Sequence, residues 1–238
     1  MLKRSFLVFV CLVLAVSVSA GSLAAVSPSD EQVIFRHGAV GKKTVALTFD
    51  DGPHPQYTKQ ILALLEQYGI HATFFFIGQN IEYYRSTALS VVKAGHEVGN
   101  HTYSHPLFSK TSTEQLAKEI EMTDRLLAEI GCDDVPLFRP PQGLYGEDLP
   151  ALLKNISKKA ILWSIDTRDW DHRPSEAILQ NIDENLRGGD IILFHDYVSG
   201  ENTTIPALKK LIPALLERGY QFVTVSELLD GERTPASR

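Results

Sequence analysis

Short apolar runs alternate along the chain with longer amphipathic stretches, and no other feature limits its fold as strongly. The runs are Thr44–Phe49, Ala72–Ile77, His96–Asn100, Pro136–Phe138, Ala160–Ile165, Asp190–Phe194 and Gln221–Val225. Several are β-branched or aromatic and continuously apolar, as expected of strands buried on both faces. Between them lie helical patterns. The clearest places Leu116, Ile120, Thr123, Leu127 and Ile130 at spacings of three and four. It opens on a capping-box candidate, Ser112 with Gln115, and stops at Gly131. Further helices are predicted over Thr58–Tyr68, Ile81–Ala94, Ser175–Leu186 and Ile205–Arg218, with Gly69, Gly95, Gly188 and Gly219 as stops. Pro213 predicts a kink or break in the last. Alternating strands and helices imply an α/β protein with a parallel sheet. Seven such units predict a closed or nearly closed barrel, with an open doubly wound sheet as the alternative. In a barrel the chemistry belongs at the C-terminal ends of the strands.

The N-terminus reads as an export signal. Lys3 and Arg4 precede an unbroken apolar run from Phe6 to Val16, and Val18-Ser19-Ala20 before Gly21 is the expected cleavage site. The apolar run is shorter than the roughly 20 residues of a spanning helix, which favours cleavage over an uncleaved membrane anchor. Removing Lys3 and Arg4 leaves 21 basic against 29 acidic residues, a net charge of −8. No block of Lys and Arg interleaves with aromatics, so nucleic acid is excluded as the expected partner. Cys11 lies within the signal, leaving Cys132 alone in the mature chain and excluding an internal disulfide or a paired-cysteine metal site.

The polar clusters fall where a barrel requires them. Asp50-Asp51-Gly52-Pro53 follows the first strand, and His101 and His105 follow the third. Arg139-Pro140-Pro141-Gln142-Gly143 follows the fourth, Asp166 through Asp169-Trp170 the fifth, and His195-Asp196 ends the sixth. Each cluster alone is ordinary: Asp-Asp-Gly-Pro is a common turn, and two histidines four apart are commonly structural. Five at the same end of five strands form a pattern. Two imidazoles and one carboxylate, drawn from the Asp50-Asp51 pair, make a hydrolytic zinc set with positions left for water and substrate. The spare carboxylate would serve as a base and a distant histidine as an acid, roles worth about 10²–10⁴-fold each.

These segments, Thr48-Phe49-Asp50-Asp51-Gly52-Pro53, His101 with His105, Arg139-Pro140-Pro141, Asp166 with Asp169-Trp170, and Leu193-Phe194-His195, resemble the five ordered motifs of the polysaccharide deacetylases. These are the NodB-homology domains of carbohydrate esterase family 4. The resemblance spans about Val45 to Leu229 and implies a distorted (β/α) barrel, often of seven strands. It implies Asp50 as catalytic base, and Asp51, His101 and His105 as ligands of one divalent ion, Zn²⁺ or alternatively Co²⁺. Arg139 would orient Asp50, and Asp166 would pair with His195, the general acid. Trp170 and Leu193 would wall the acetyl pocket, and the backbone N–H of Gln142 would face the oxyanion. The family commonly carries an aromatic residue where this chain has Gln142.

The expected activity is metal-dependent removal of N-acetyl groups from amino-sugar polymers, peptidoglycan N-acetylglucosamine first and chitin oligomers second, with release of acetate. The alternatives are an acetylxylan-type O-deacetylase, a non-catalytic carbohydrate-binding relative, and, on the ligand set alone, a non-haem iron oxygenase. The expected organisation is a signal peptide over 1–20, a lead-in over 21–40, the catalytic domain over 41–230 and a frayed tail over 231–238. The protein is expected in the cell envelope or outside the cell, as a monomer without stable membrane insertion after signal cleavage. Trp163 is expected in the core or barrel wall, and His54, after the Asp50-Asp51 turn, is the remaining histidine placed to line the groove.

Overall fold

The computed structural model describes residues 33–200 and 202–231. The expected signal peptide, most of the expected lead-in and nearly all of the expected tail lie outside the described residues.

The strands are β1 (Ile34–Phe35), β2 (Thr44–Gly52), β3 (Thr73–Phe76), β4 (Glu97–Asn100), β5 (Leu137–Phe138), β6 (Lys159–Ile161), β7 (Ile165–Asp166), β8 (Asp190–His195) and β9 (Gln221–Phe222). The helices are α1 (Tyr57–Tyr68), α2 (Gly78–Tyr83), α3 (Arg85–Lys93), α4 (Thr113–Glu129), α5 (Leu149–Asn155), α6 (Ser175–Asn185), α7 (Thr204–Glu217) and α8 (Val225–Asp230). The strands pair in parallel in the order β1-β6-β5-β4-β3-β2-β8-β7, and β9 joins the start of β2. Only Leu162–Ser164 separate β6 from β7, yet β6 pairs with β5 and β7 with β8. One strand therefore leaves one side of the sheet and enters the other, curling the sheet into a distorted (β/α) barrel. All seven predicted strands are present, the fifth divided between β6 and β7.

Strand alternation sorts the side chains between the helix-covered outside of the sheet and the barrel interior. Val45, Leu47, Phe49, Phe74, Phe76, Ile192 and Phe194 pack outward against Ile61, Leu65, Leu208 and Ile212 of the helices. Ala46, Phe75, Leu137, Ile161 and Ile191 form a second cluster within the barrel. The inward parity of β2 is thus even and that of β8 odd, which carries Thr48, Asp50, Leu193 and His195 inward above this apolar floor. Burial on both faces explains the continuously apolar strands.

The helices show three departures from the sequence pattern. The stretch predicted as Ile81–Ala94 is two helices, α2 and α3, separated by Tyr84 at φ −127°, ψ 40°. α7 runs unbroken through Pro213. α5, α8 and the two-residue β1 had no prediction, being too short to show a period. The Ser112–Gln115 capping box is formed as expected.

Candidate active site

Consecutive residues of a regular strand point to opposite faces, so Asp50 and Asp51 should diverge. They converge because the β2–β3 register shifts between Asp50 and Gly52 and Asp51 takes φ 71°. Both carboxylates then line a cavity of about 360 Å³ with His101, His105 and His195. Asp51, Thr102, His105, Gln142 and Arg168 all have left-handed backbones; Asp51 is the penultimate residue of β2, and the others follow the C-terminal ends of later strands. Backbone strain of this kind concentrates at functional sites.

Asp51, His101 and His105 bring one donor atom each within 4.8 Å of one another. Oδ1 of Asp51 lies 3.5 Å from Nε2 of His101 and 3.6 Å from Nε2 of His105. Ligands of a tetrahedral ion at about 2.1 Å stand about 3.4 Å apart, so the spacing fits a metal set. Two further observations support that fit. Oδ1 of Asp51 is buried without a hydrogen-bond partner. Nδ1 of His101 faces the carbonyl of Arg139 at 2.7 Å, which places its proton there and leaves the Nε2 lone pair towards Asp51. Burial works against the Asp51 carboxylate, but the closeness and charge of His101, with the charges of His195 and His105, lower its pKa to about 2. Burial lowers His105, with the charge of His101 adding to the effect. The histidine loop is held from α4, where Glu119 accepts from the amides of Tyr103 at 2.9 Å and Ser104 at 2.7 Å.

Arg139 is fully buried beneath this group. Nη1 donates to Oδ1 of Asp50 at 2.6 Å and to the Thr48 hydroxyl at 2.9 Å. Nε and Nη2 donate to the carbonyls of Ile161 and Leu162, and the guanidinium stacks 4.1 Å from the centre of the Phe75 ring. Burial lowers the Arg139 pKa, and Asp50 opposes that shift. A buried ion pair persists only when its remaining donors are met, and here β2 and the end of β6 meet them.

Across the cavity, His195 is paired with Asp169, which corrects the expected pairing with Asp166. Nδ1 of His195 donates to Oδ1 of Asp169 at 2.8 Å. Asp169 is fully buried and also accepts from the His195 amide at 2.8 Å and the Thr204 hydroxyl at 2.7 Å. Asp166 instead accepts from the Arg168 amide at 2.9 Å and from Nε1 of Trp170 at 3.3 Å, bracing the indole. Arg168 at φ 56° turns the chain so that Asp169, three residues after Asp166, faces β8. Burial disfavours the His195 imidazolium, but the Asp169 hydrogen bond and charge, with Asp50 and Asp51 beyond, raise its pKa to about 9.

Trp170, half exposed, lines the cavity with Leu193 and Gln142, as does Trp163, which was expected in the core or barrel wall and packs on the cluster within the barrel. Gln142 stands at φ 60°, while the amides of Gly143 and Leu144 bond back to Pro140 and Pro141. His54 is not in the cavity wall; it stacks between Tyr57 and Tyr197 at 4.7 and 4.9 Å. Asp196, which carried no expectation, is fully buried beside the Asp50–Pro53 turn. Burial, aided by Asp51 and Asp50 and opposed by a Thr58 hydrogen bond, pushes its carboxyl up to about 8.

Known proteins resemble this chain in sequence and fold. Residues 37–161 match the family described as polysaccharide deacetylase. A peptidoglycan-N-acetylglucosamine deacetylase of Bacillus cereus is 41% identical over 190 residues, covering 79% of this chain and 89% of that protein. The crystal structure of a peptidoglycan N-acetylglucosamine deacetylase in complex with 4-naphthalen-1-yl-N-oxidanyl-benzamide superimposes with a TM-score of 0.80 at 32% identity, over 84% of this chain and 94% of that one. A CE4 family pseudoenzyme from Bacillus anthracis superimposes with a TM-score of 0.79 at 29% identity, over 86% of this chain and 71% of that one. On these matches and the five motifs, the chain belongs to the polysaccharide deacetylase family.

Proposed function

We propose that this chain removes N-acetyl groups from amino-sugar residues of a polysaccharide, with peptidoglycan N-acetylglucosamine as its substrate and acetate as the released product. One observation carries the reading: the Asp51, His101 and His105 set lies in one cavity between a base held by Arg139 and an acid held by Asp169. A relative described as a pseudoenzyme has this fold, so fold alone does not carry activity. The complete set of polar groups does. The choice of polymer is supported by the peptidoglycan deacetylase named above.

A divalent cation held by Asp51, His101 and His105, Zn²⁺ in this reading with Co²⁺ as substitute, supplies Lewis acidity that polarises the amide carbonyl and acidifies water. Asp50, oriented by Arg139, takes the proton of the attacking water. The Gln142 backbone N–H donates to the oxygen on which negative charge develops; elsewhere such a donor contributes about 3–4 kcal/mol. His195, protonated and oriented by Asp169, donates its proton to the departing amine as the C–N bond breaks. Trp170 and Leu193 hold the methyl group. Water and the amide are consumed, and a free amino sugar and acetate result.

Export of the mature enzyme to the envelope is part of this proposal and is supported by the charged start and apolar run of residues 3–16. Among the described residues no helix is long and apolar enough to cross a membrane. The test is a mass and acetate assay on peptidoglycan fragments, N-acetylglucosamine oligomers and acetylated xylan. Acetate from the first supports the proposal. Release from xylan alone would replace it with the O-deacetylase reading, and none from any would favour a binding protein.

A further inference from the structure

His195 and Asp196 are consecutive at the end of β8, and their side chains serve opposite sides. His195 lines the cavity. Asp196, fully buried, lies against the turn that carries Asp50 and Asp51.

Three contacts fasten that turn to Asp196. A Cβ on Gly52 would lie 2.1 and 2.2 Å from the two Asp196 carboxyl oxygens, so the carboxyl fills the space a side chain would need. Gly52 is outside the left-handed region, so this contact, rather than backbone conformation, calls for glycine. Thr58, in the first turn of α1, donates to Oδ2 of Asp196 at 2.5 Å and accepts from the His54 amide at 2.7 Å. The Asp196 amide donates to the Asp50 carbonyl at 3.1 Å. The segment from Asp50 to Thr58 is thereby held at both ends and in the middle. Within it, Asp51 keeps a left-handed backbone and a buried, unpartnered Oδ1. Such a conformation persists only where its surroundings over-determine it.

We propose that Asp196 is a positioning residue whose side chain, wedged between Gly52 and Thr58, sets the direction in which Asp51 presents its carboxylate to His101 and His105. This rests on the metal-site part of the proposed function. Groups that orient a metal ligand typically contribute 10- to 100-fold in affinity or activity.

The test is Zn²⁺ titration of the full mature chain against a competing chelator, with kcat and KM measured alongside. Asp196→Ala should weaken Zn²⁺ binding by about tenfold or more and lower kcat, with KM little changed. Asp196→Asn keeps the shape and the acceptor for Thr58, and should stay close to the parent in both. Gly52→Ala should displace the carboxyl and mimic Asp196→Ala, and the two changes together should be clearly less than additive. Thr58→Val, nearly isosteric, gives a milder loss of Zn²⁺ and serves if Asp196→Ala does not fold. Parent-like Zn²⁺ affinity in folded Asp196→Ala or Thr58→Val overturns the proposal. So does an Asn variant as impaired as the Ala variant, because shape would then not be what matters. The titration needs no substrate, so a chain that shows these Zn²⁺ effects yet releases no acetate refutes the deacetylase reading alone.

Discussion

His195 gives two hydrogen bonds to Asp169, from ring Nδ1 to Oδ1 and from its amide to Oδ2, each at 2.8 Å. The double contact fixes the ring's tautomer and holds Nε2 as the atom free to face substrate. It also sets the protonation state. A histidine whose pKa is raised in the fold contributes stability fully below its ordinary value near 6.5, and loses it as pH climbs through about 9. An acid that must be protonated fails over the same rise.

Asp169→Asn should therefore shift the basic limb of the kcat/KM profile to lower pH and reduce the plateau. A cation at Asp51 offsets the part that Asp50 and Asp51 contribute, so the Asp169 part is what the variant exposes. Asp166→Asn should leave the limb in place and act through Trp170. Profiles of the two variants decide the matter: a shift in Asp166→Asn without one in Asp169→Asn contradicts the pairing.

His195→Ala should cost about 10²–10⁴-fold on an acetamide and much less on an activated acetyl ester, whose leaving group needs little proton donation. Equal losses on both, in a folded and metal-loaded variant, would assign His195 to substrate positioning instead.

Chelation should abolish activity, and added Zn²⁺ or Co²⁺ should restore it. His101→Ala and His105→Ala should lose both metal and turnover. The adjacent aspartates should separate: Asp50→Asn keeps the metal and loses turnover, whereas Asp51→Ala loses metal affinity. Full turnover in a verified metal-free preparation would end the proposed chemistry.

Arg139→Met leaves the Asp50 carboxylate buried and unpaired, which should destabilise the fold by about 3–5 kcal/mol. Combining it with Asp50→Asn should recover much of that loss. Urea unfolding of the two single variants and the double variant measures the coupling, and simple additivity would show that the pair is not energetically linked.

Gln142→Ala retains the backbone donor, so kcat should change modestly while KM or substrate preference shifts. A fall in kcat beyond about 100-fold, the scale of a lost oxyanion donor, would show that the side chain itself takes part.

The sequence by itself determined the strand-helix alternation, the parallel sheet and the end of it that bears the polar clusters. It could do so because burial on both faces leaves continuous apolar runs, and a strand's direction dictates where the following loop emerges. It also determined which residue types share the site. Tertiary structure decided which atoms meet. Asp166 and Asp169 lie in one short loop and are equivalent carboxylates in the sequence; the left-handed turn at Arg168 and the hydroxyl of Thr204, distant in the chain, select Asp169 for His195. Asp50 and Asp51 would diverge on a regular strand, and the register shift between Asp50 and Gly52 makes them converge. Trp163 reads as core or barrel wall, and only the fold shows that, between β6 and β7, it also lines the cavity. Asp196 shows its place in a polar cluster but not its role, because its partners Gly52 and Thr58 are brought to it by the pairing of β2 with β8. Periodicity records how much of a side chain is buried; the direction in which it points at a loop depends on local φ values and on contacts across the barrel, and neither leaves a period to read.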